Sequence, residues 1–394
     1  MTKTTRNTAA AAEESFHKHY SAIWGAERWQ DSLYPALAKP TRHAALINRY
    51  ASPSDFWQAI AEANLDRDDL EQVHLPSLTP PSSGSLNGII CYARKTSPSE
   101  LSVSTFPPPK PAAFSQLLTH WNLDAASALV AQLLDVRLGE SVLDLCAAPG
   151  GKSIALAQSM FPAWHAEASS LGIDGDATGT RPQDRSVTSA VLRSNEADAR
   201  RQKRLVENLQ AYLPAQLIKQ GSVQCLRVDG TSTIVNALLA PGGYDKVLVD
   251  APCSSERHII HAHLKASASG NTAPEMANWR TGSSKRLAQT QLSLMMTALK
   301  VVRVGGRVVY ATCSIDMMEN DGVIEKMVAQ VEKERKKGAK WSVKLGFGEG
   351  TNADGLLEQW AEKTKHGWIV LPDHPGDGKW GPLYFAVVTK TDGT

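Results

Sequence analysis

From about residue 123 onward, short hydrophobic runs alternate with amphipathic segments, and this alternation constrains the fold more than any other feature. Five runs predict strands at residues 141–147, 190–195, 223–229, 246–251 and 307–313. Helical periodicity between the runs predicts helices at 153–160, 198–213 and 284–302. Two closing strands are predicted at 368–371 and 383–390, as an antiparallel hairpin at the sheet edge. We therefore expect an α/β fold, with a mostly parallel, doubly wound, Rossmann-like sheet of seven strands.

The residues before this region have a different pattern. Hydrophobic residues recur at helical spacing between about 15 and 65, and a Pro/Ser-rich stretch, PSLTPPSSGS, follows at 76–85. We expect a helical N-terminal extension over residues 1–85 and a second domain over residues 86–394. Two segments rich in small and polar residues, 161–186 and 266–279, interrupt the alternation and are predicted to be surface insertions.

The composition argues against several classes of protein. No apolar run approaches the roughly 18 residues that a membrane-spanning helix needs. The five cysteines are odd in number and include no C-x-x-C pair, which argues against a disulfide framework or a structural zinc site. A reducing, intracellular location is expected. The net charge is only +2, so a polyanion would have to be bound by local basic patches.

The stretch SVLDLCAAPGGKS, residues 141–153, runs from a hydrophobic strand through a glycine pair into a helix. In open α/β sheets, ligands bind at the carboxyl ends of the strands, and Gly150 and Gly151 let the backbone approach a ligand closely. The stretch lacks the first glycine of a phosphate-binding loop, because Cys146 stands in its place, and it lacks the dinucleotide pattern G-x-G-x-x-G. The loop therefore predicts a nucleotide-like ligand that is not held by its phosphates.

Acidic residues follow the next two predicted strands. Glu196 stands where an acid in such folds accepts hydrogen bonds from ribose hydroxyls, and Asp229 with Gly230 is placed to receive an adenine amino group. Either acid alone could equally cap a helix. Together with the glycine loop, they indicate an adenosine-type cofactor, and S-adenosylmethionine fits.

Two further strand ends each place a cysteine in a loop, Cys253 in DAPCSSERH and Cys313 in RVVYATCS. Both strands are expected on one side of the sheet's switch point, so the two thiols can converge on one cleft. A thiolate that adds to C6 of cytosine makes C5 nucleophilic toward a methyl donor. Asp250 could hydrogen-bond to N3 and the exocyclic amine of that base. These residues leave open which thiol attacks; the remaining cysteines, Cys91, Cys146 and Cys225, are predicted to pack as small apolar groups.

The motifs and their order resemble those of the Sun-family RNA cytosine-5 methyltransferases. They are DAASALVAQLL from Asp124, VLDLCAAPGGK from Val142, SNEADARRQKRL from Ser194, RVDG from Arg227, DAPCSS from Asp250, YATCSIDMMEN from Tyr310 and WGPLYFAVVTK from Trp380. The resemblance covers roughly residues 106–390. DAPCSSERH and WGPLYF look most like the small eukaryotic branch whose animal members work in mitochondria.

The resemblance implies a class I methyltransferase fold, S-adenosylmethionine as cofactor, and roles for particular residues. Cys313 would be the nucleophile, and Cys253 would assist product release. The cofactor would be held by the loop Cys146, Ala147, Ala148, Pro149, Gly150, Gly151 and Lys152, and by Glu196, Arg201, Asp229, Gly230 and Asp250. A mitochondrial location would follow, with cytoplasm or nucleus as alternatives.

The implied substrate is RNA, either tRNA or rRNA. One alternative is the same chemistry on DNA, although the signatures Glu-Asn-Val and Gln-x-Arg-x-Arg of the DNA enzymes do not occur here. Another is a non-catalytic RNA-binding or assembly factor, against which the intact Cys253, Cys313, Asp250 and Lys152 argue.

No appended RNA-binding module is recognisable, so substrate capture is expected from the N-terminal helices or from a protein partner. Basic runs at 200–204 and 333–340 could contact phosphates, although a solvated helix face is favoured for the second. His258, His261 and His263 lack an acid or cysteine at ligand spacing, so we predict a loop near RNA and no metal site.

Overall fold

The computed structural model describes residues 3–77, 88–95, 106–166, 190–232, 236–348, 352–376 and 379–393, with side chains from residue 10 onward. These residues form two sheets, one of four strands and one of nine. No helix in these ranges is both long enough and apolar enough to cross a bilayer.

The N-terminal region combines helices with the smaller sheet. Its helices are α1 (Lys3–Trp24), α2 (Ala26–Arg28), α3 (Tyr34–Ala38) and α4 (Pro53–Ala61), with a π-helical turn at Trp29–Leu33. Its strands are β1 (Ala44–Ile47), β2 (Leu70–Val73), β3 (Cys91–Arg94) and β4 (His120–Leu123), in the antiparallel order β2-β3-β1-β4.

The prediction of helix throughout residues 15–65 is wrong at β1. All four residues of β1 are buried, and the strand pairs on both sides, with β3 and with β4. A four-residue apolar run has no distinguishing period, so the sequence alone cannot separate a buried strand from a buried helical turn. The domain boundary at residue 85 stays a prediction; β1 and β2 precede it and β3 and β4 follow it in the same sheet.

The larger sheet confirms the predicted doubly wound class. Its strands are β5 (Ser141–Asp144), β6 (Val191–Asn195), β7 (Val223–Leu226), β8 (Tyr244–Asp250), β9 (Val302–Thr312), β10 (Trp341–Leu345), β11 (Glu362–Lys363), β12 (Trp368–Val370) and β13 (Leu383–Asp392). The order is β11-β12-β13-β9-β8-β5-β6-β7, with β10 paired to β13. The five strands β7, β6, β5, β8 and β9 are parallel to one another, as expected. The sheet has two more strands than the seven predicted, because β10 and β11 join β13 and β12.

Helices cover both faces of this sheet. They are α5 (Ala125–Leu133), α6 (Gly151–Met160), α7 (Ala199–Tyr212), α8 (Ala215–Lys219), α9 (Glu256–Ser267), α10 (Pro274–Ala277), α11 (Ser283–Val301), α12 (Asp321–Lys336) and α13 (Ala353–Leu357). Residues from α5, α6 and α7 pack into the core on one face, and residues from α1, α9, α11 and α12 pack into the core on the other. Helix α7 begins as predicted, because the Asp198 carboxylate accepts hydrogen bonds from the N–H groups of Arg200 and Arg201.

Two local predictions differ from the structure, at residues 266–279 and at strand β13, and a third, at 161–186, can be compared only over residues 161–166. Residues 266–279 are not a surface insertion: Met276 and Trp279 are buried, and the Trp279 ring packs against Phe16 at 5.2 Å between centroids. The segment predicted at 161–186 begins with buried residues, Phe161 and His165, and its part from 167 lies outside the described residues. Strand β13 lies inside the sheet, between β12 and β9, because its long buried run pairs on both sides.

Candidate active site

The carboxyl ends of the parallel strands form one edge of the larger sheet. From β5 the chain passes to β6 and β7 on one side, and then returns to β8 on the other side of β5. The strand order therefore reverses between β5 and β8. In open α/β sheets, ligands bind in the crevice at such a switch point.

The glycine loop follows β5 at this crevice. Gly150 has a φ of +122°, a backbone conformation that residues other than glycine rarely adopt, and α6 begins directly after it. Two side chains of helix α7 donate hydrogen bonds to carbonyl groups of this loop. The Arg201 guanidinium donates a hydrogen bond to the carbonyl of Ala148 at 3.0 Å, and the Asn208 amide donates to that of Pro149 at 2.8 Å.

Gly151 lies against the indole of Trp121, which comes from β4 of the smaller sheet. A Cβ atom at residue 151 would lie 2.6 Å from Trp121 Nε1. We therefore expect Gly151→Ala to lower the free energy of unfolding by about 1–3 kcal/mol through overpacking, measured by urea denaturation. Gly282→Ala is the control, because a Cβ there would meet no atom of the described residues within 4 Å. Equal effects of the two substitutions would contradict this account of the loop.

Glu196 lies at the end of β6, beside the glycine loop, and is 6% exposed. Its Oε1 atom accepts a hydrogen bond from the N–H of Asp198. Its buried Oε2 atom makes no hydrogen bond within the described ranges and lies 3.3 Å from the Arg201 guanidinium as an ion pair. A buried carboxylate oxygen that makes no hydrogen bond within the protein can accept one from a hydroxyl of a ligand.

Asp229 and Gly230 follow β7 at the same edge. The Asp229 carboxylate accepts hydrogen bonds from the N–H and the hydroxyl of Thr231, so one of its oxygen atoms is already engaged in a local turn. Gly230 is closely packed, since a Cβ there would lie 2.9 Å from a methyl carbon of Leu294. The predicted cofactor residues thus follow the neighbouring strands β5, β6 and β7, except Arg201, which lies on α7, and Asp250, which ends β8.

The two predicted cysteines meet in the structure. Their sulfur atoms, on the loops after β8 and β9, are 2.8 Å apart, and both thiols are free. The hydrogen bond from Cys253 lowers the pKa of Cys313, against the opposing effect of burial. The same bond and burial raise the pKa of Cys253 well above its usual value. Cys313 is therefore the more readily ionised thiol, and as a thiolate it would accept a hydrogen bond from Cys253.

A lysine–aspartate pair stands beside the thiols. Lys152 donates a hydrogen bond to the Asp250 carboxylate at 2.7 Å and another to the hydroxyl of Ser127 at 3.1 Å. Burial is the largest single effect and lowers the pKa of Lys152, but the charge and hydrogen bond of Asp250, together with the charge of Asp144, act in the opposite direction, and the pKa is raised. The Cys313 thiolate contributes in the same direction. Lys152 is therefore a cation that lies within electrostatic range of both Asp250 and Cys313.

The other three cysteines have the properties of packed residues. Burial raises the pKa of the Cys91 thiol to about 12 and that of the Cys225 thiol to about 11. Burial also raises the pKa of Cys146 well above its usual value. Raised thiol pKa values suppress the thiolate and thus the reactivity of these groups.

The structure also shows site residues that sequence reasoning missed. Ser127 reaches Lys152 from α5, and Glu256, three residues after Cys253, is fully buried behind the thiols. An acid next to a cysteine motif was the available signal for Glu256. The predicted histidine loop is wrong, because His258, His261 and His263 lie on α9. His261 contacts the carbonyl groups of Leu37 and Lys39, and His263 contacts Glu13.

Comparison with known proteins identifies the family. The model of the family described as 16S rRNA methyltransferase RsmB/F matches residues 186–366. A mitochondrial tRNA (cytosine(34)-C(5))-methyltransferase of Danio rerio is 30% identical over 383 residues, covering 95% of this chain and 86% of that protein. The 5-cytosine rRNA methyltransferase NSUN4 of Bos taurus is 25% identical over 393 residues, covering 96% of this chain and 88% of that protein.

Solved structures share the fold. The NSun6 protein of Pyrococcus horikoshii, crystallised with SFG, superimposes with a TM-score of 0.57 at 14% identity, covering 95% of this chain and 97% of that one. A methyltransferase homologue from the same organism gives a TM-score of 0.57 at 17% identity and covers 99% of both chains. The resemblance noted in the motifs is thus confirmed by whole-chain similarity, and this chain belongs to the RsmB/F and NSUN family of RNA cytosine-5 methyltransferases.

Proposed function

We propose that this protein transfers a methyl group from S-adenosylmethionine to C5 of a cytosine in RNA, through a covalent bond between Cys313 and C6 of the base. One observation carries the proposal: two free thiols from different strands lie 2.8 Å apart, and Lys152 interacts with both Asp250 and Cys313. Purified protein, S-adenosylmethionine and RNA should yield 5-methylcytosine. Transfer to duplex DNA but not to RNA would instead support the DNA alternative.

The residues after β5, β6 and β7 fit S-adenosylmethionine. The glycine loop allows close approach of the ligand, Glu196 Oε2 is available to ribose hydroxyls, and Asp229 with Gly230 would border the adenine. The cofactor supplies an electrophilic methyl group when bound. Arg201 supports both the loop and Glu196, so we assign it to holding this site in shape.

The thiols and the lysine–aspartate pair would act on the base. The Cys313 thiolate adds to C6, the C5–C6 double bond opens, and its electron pair makes C5 nucleophilic. Asp250 can accept a hydrogen bond from the exocyclic amine, and Lys152 can stabilise the negative charge that develops on the ring. After C5 has been methylated, a base removes the C5 proton. The C5–C6 double bond re-forms, the C6–S bond breaks, and Cys313 leaves as a thiolate that receives a hydrogen bond from Cys253.

The target base must leave its stack to reach this crevice, so a loop or a flipped nucleotide of RNA is the expected substrate. Relatives aligned over nearly the whole chain are named as tRNA and as rRNA methyltransferases, so we propose either tRNA or rRNA as the substrate. Bisulfite sequencing of RNA from cells lacking the protein decides between them. The mitochondrial names of relatives favour a mitochondrial location for this chain, which imaging of a tagged protein tests.

The start of α7 offers phosphate contacts close to the crevice. Arg200, Lys203 and Arg204 are exposed on this helix, whose Arg201 touches the glycine loop. We expect replacement of these three side chains by alanine to weaken RNA binding. If each contacts one phosphate, the slope of log affinity against log salt should fall by about 2 for single-stranded RNA. Binding assays at several salt concentrations measure this slope.

A second basic helix provides a matched control. Lys333, Lys336 and Lys337 are exposed on and just after α12, where a solvated face is the favoured interpretation. Their replacement by alanine removes the same charge and should leave the slope nearly unchanged. An equal change of the slope in both triple variants would indicate an effect of net charge instead of phosphate contacts by α7.

A further inference from the structure

A fully buried carboxylate lies behind the two cysteines, outside the steps assigned above. Glu256 is the first residue of α9 and has no exposed surface. Burial raises its pKa, which reflects the cost of holding a charged group away from water. Such a group persists in a folded protein when several hydrogen-bond donors surround it.

The donors around Glu256 come from both cysteine loops. Ser254, next to Cys253, donates its hydroxyl to Oε1, and Ser314, next to Cys313, donates to the same atom at 3.2 Å. The N–H of Ile315 donates to Oε2 at 3.0 Å. The hydroxyls of Ser254 and Ser314 also lie 2.9 Å apart. One carboxylate thus joins the residues that directly follow each thiol.

The N-terminal helix completes this cluster. The buried Tyr20 of α1 donates its hydroxyl to Glu256 Oε1 at 2.9 Å. From the same helix, His19 contacts the Asp316 carboxylate at 3.0 Å, and the Trp24 indole donates to the carbonyl of Ile315 at 3.2 Å. Three side chains of α1 therefore hold residues 315–316 and Glu256, although α1 contributes no group to the reaction described above.

We propose that Glu256, held by Tyr20 of α1, is a positioning residue that sets the separation and orientation of Cys253 and Cys313. The inference rests on the proposed function, in which the hydrogen bond between the thiols prepares Cys313 and stabilises its departure. That bond spans two loops from different strands, and the Glu256 carboxylate is a direct link between them. A displacement of about 1 Å in a reacting group can cost on the order of a hundredfold in rate.

The negative charge of Glu256 alone would slow the reaction, whereas its positioning role would speed it. The mutual hydrogen bond and burial dominate the pKa values of the thiols. The charge of Glu256 adds to the rise in the pKa of Cys253 and works against the lowering of the pKa of Cys313. Removing this charge would therefore favour the thiolate. Positioning and charge effects thus predict rate changes of opposite sign for a neutral substitution.

The test uses Glu256→Gln and Tyr20→Phe in the full chain, with wild-type RNA substrate and S-adenosylmethionine. For Glu256→Gln we expect kcat to fall about a hundredfold, with KM for RNA within about twofold of wild type. For Tyr20→Phe, which removes one hydrogen bond to the carboxylate, we expect a fall of about tenfold. In the double variant, Tyr20→Phe should have no additional effect, because its role acts through Glu256.

Tyr50→Phe is the matched control. Tyr50 is also a buried tyrosine of the N-terminal region with one hydrogen bond, donated to the carbonyl of Ala157 at 2.7 Å. Its variant should keep wild-type kcat. If Glu256→Gln does not fold, the kcat values of Tyr20→Phe and Tyr50→Phe test the inference instead. Unchanged or faster turnover in Glu256→Gln, or equal losses in both tyrosine variants, would overturn the inference. Methylation that survives Cys313→Ala would instead reject the proposed function itself.

Discussion

Replacing Cys313 by alanine should reduce methyl transfer to RNA by about a thousandfold or more, because the covalent route through C6 is lost with its nucleophile. The structure makes Cys313 the thiol whose pKa is lowered, through the hydrogen bond from Cys253. Binding of S-adenosylmethionine should remain near wild type, since Cys313 follows β9 and is not among the residues assigned to the cofactor. Transfer of labelled methyl groups under single-turnover conditions, and calorimetry for the cofactor, measure the two quantities.

Cys225→Ala is the control for this experiment. Cys225 is also partly exposed, but its thiol has a pKa raised to about 11 by burial, and it lies on β7 away from the thiol pair. Its alanine variant should keep the wild-type rate within about twofold, as expected for a packing residue. Full activity of Cys313→Ala would show that the nucleophile is misassigned.

Replacing Cys253 by alanine should produce a covalent protein–RNA adduct that survives denaturation. The departing Cys313 thiolate would lose its hydrogen-bond donor, so the C6–S bond would break more slowly than it forms. Steady-state turnover should fall about a hundredfold, in the range reported for single catalytic groups. The adduct is visible as a shifted band on a denaturing gel with labelled RNA.

The same substitution should change the pH dependence of adduct formation. Loss of the Cys253 hydrogen bond removes the main cause that lowers the pKa of Cys313. The pKa of Cys313 then rises, a smaller fraction is thiolate at neutral pH, and the rate profile shifts toward alkaline pH. The double variant lacking both thiols should form no adduct. A clean gel for Cys253→Ala would argue against a role of Cys253 in release.

Much of the sheet could be predicted because its parallel strands are continuous apolar runs separated by amphipathic helices. The predicted strand at 141–147 appears as β5, and the helix predicted from residue 198 appears as α7, with Asp198 as its N-cap. The N-terminal sheet could not be predicted from periodicity, since β1 is four residues long and buried throughout. The position of β13 inside the sheet also escaped prediction, because strand order depends on long-range pairing that a local pattern does not contain.

The thiol pair could be predicted because parallel strands bring their carboxyl ends to one edge, and both Cys253 and Cys313 follow such ends. The contact between Tyr20 and Glu256 could not, since 236 residues separate them in the chain. Residues that support a site from distant elements carry no local motif.

The docking of α1 has a consequence for synthesis of the protein on the ribosome. His19 is synthesised 297 residues before its partner Asp316. At about 5–20 residues per second, that interval is roughly 15–60 seconds. For most of this time Phe16 and Tyr20 of α1 lack their partners Trp279 and Glu256, and transiently exposed apolar surface of this kind makes a nascent chain prone to aggregation. The contacts between α1 and the residues next to the two thiols therefore form only after the residues between His19 and Asp316 have been synthesised.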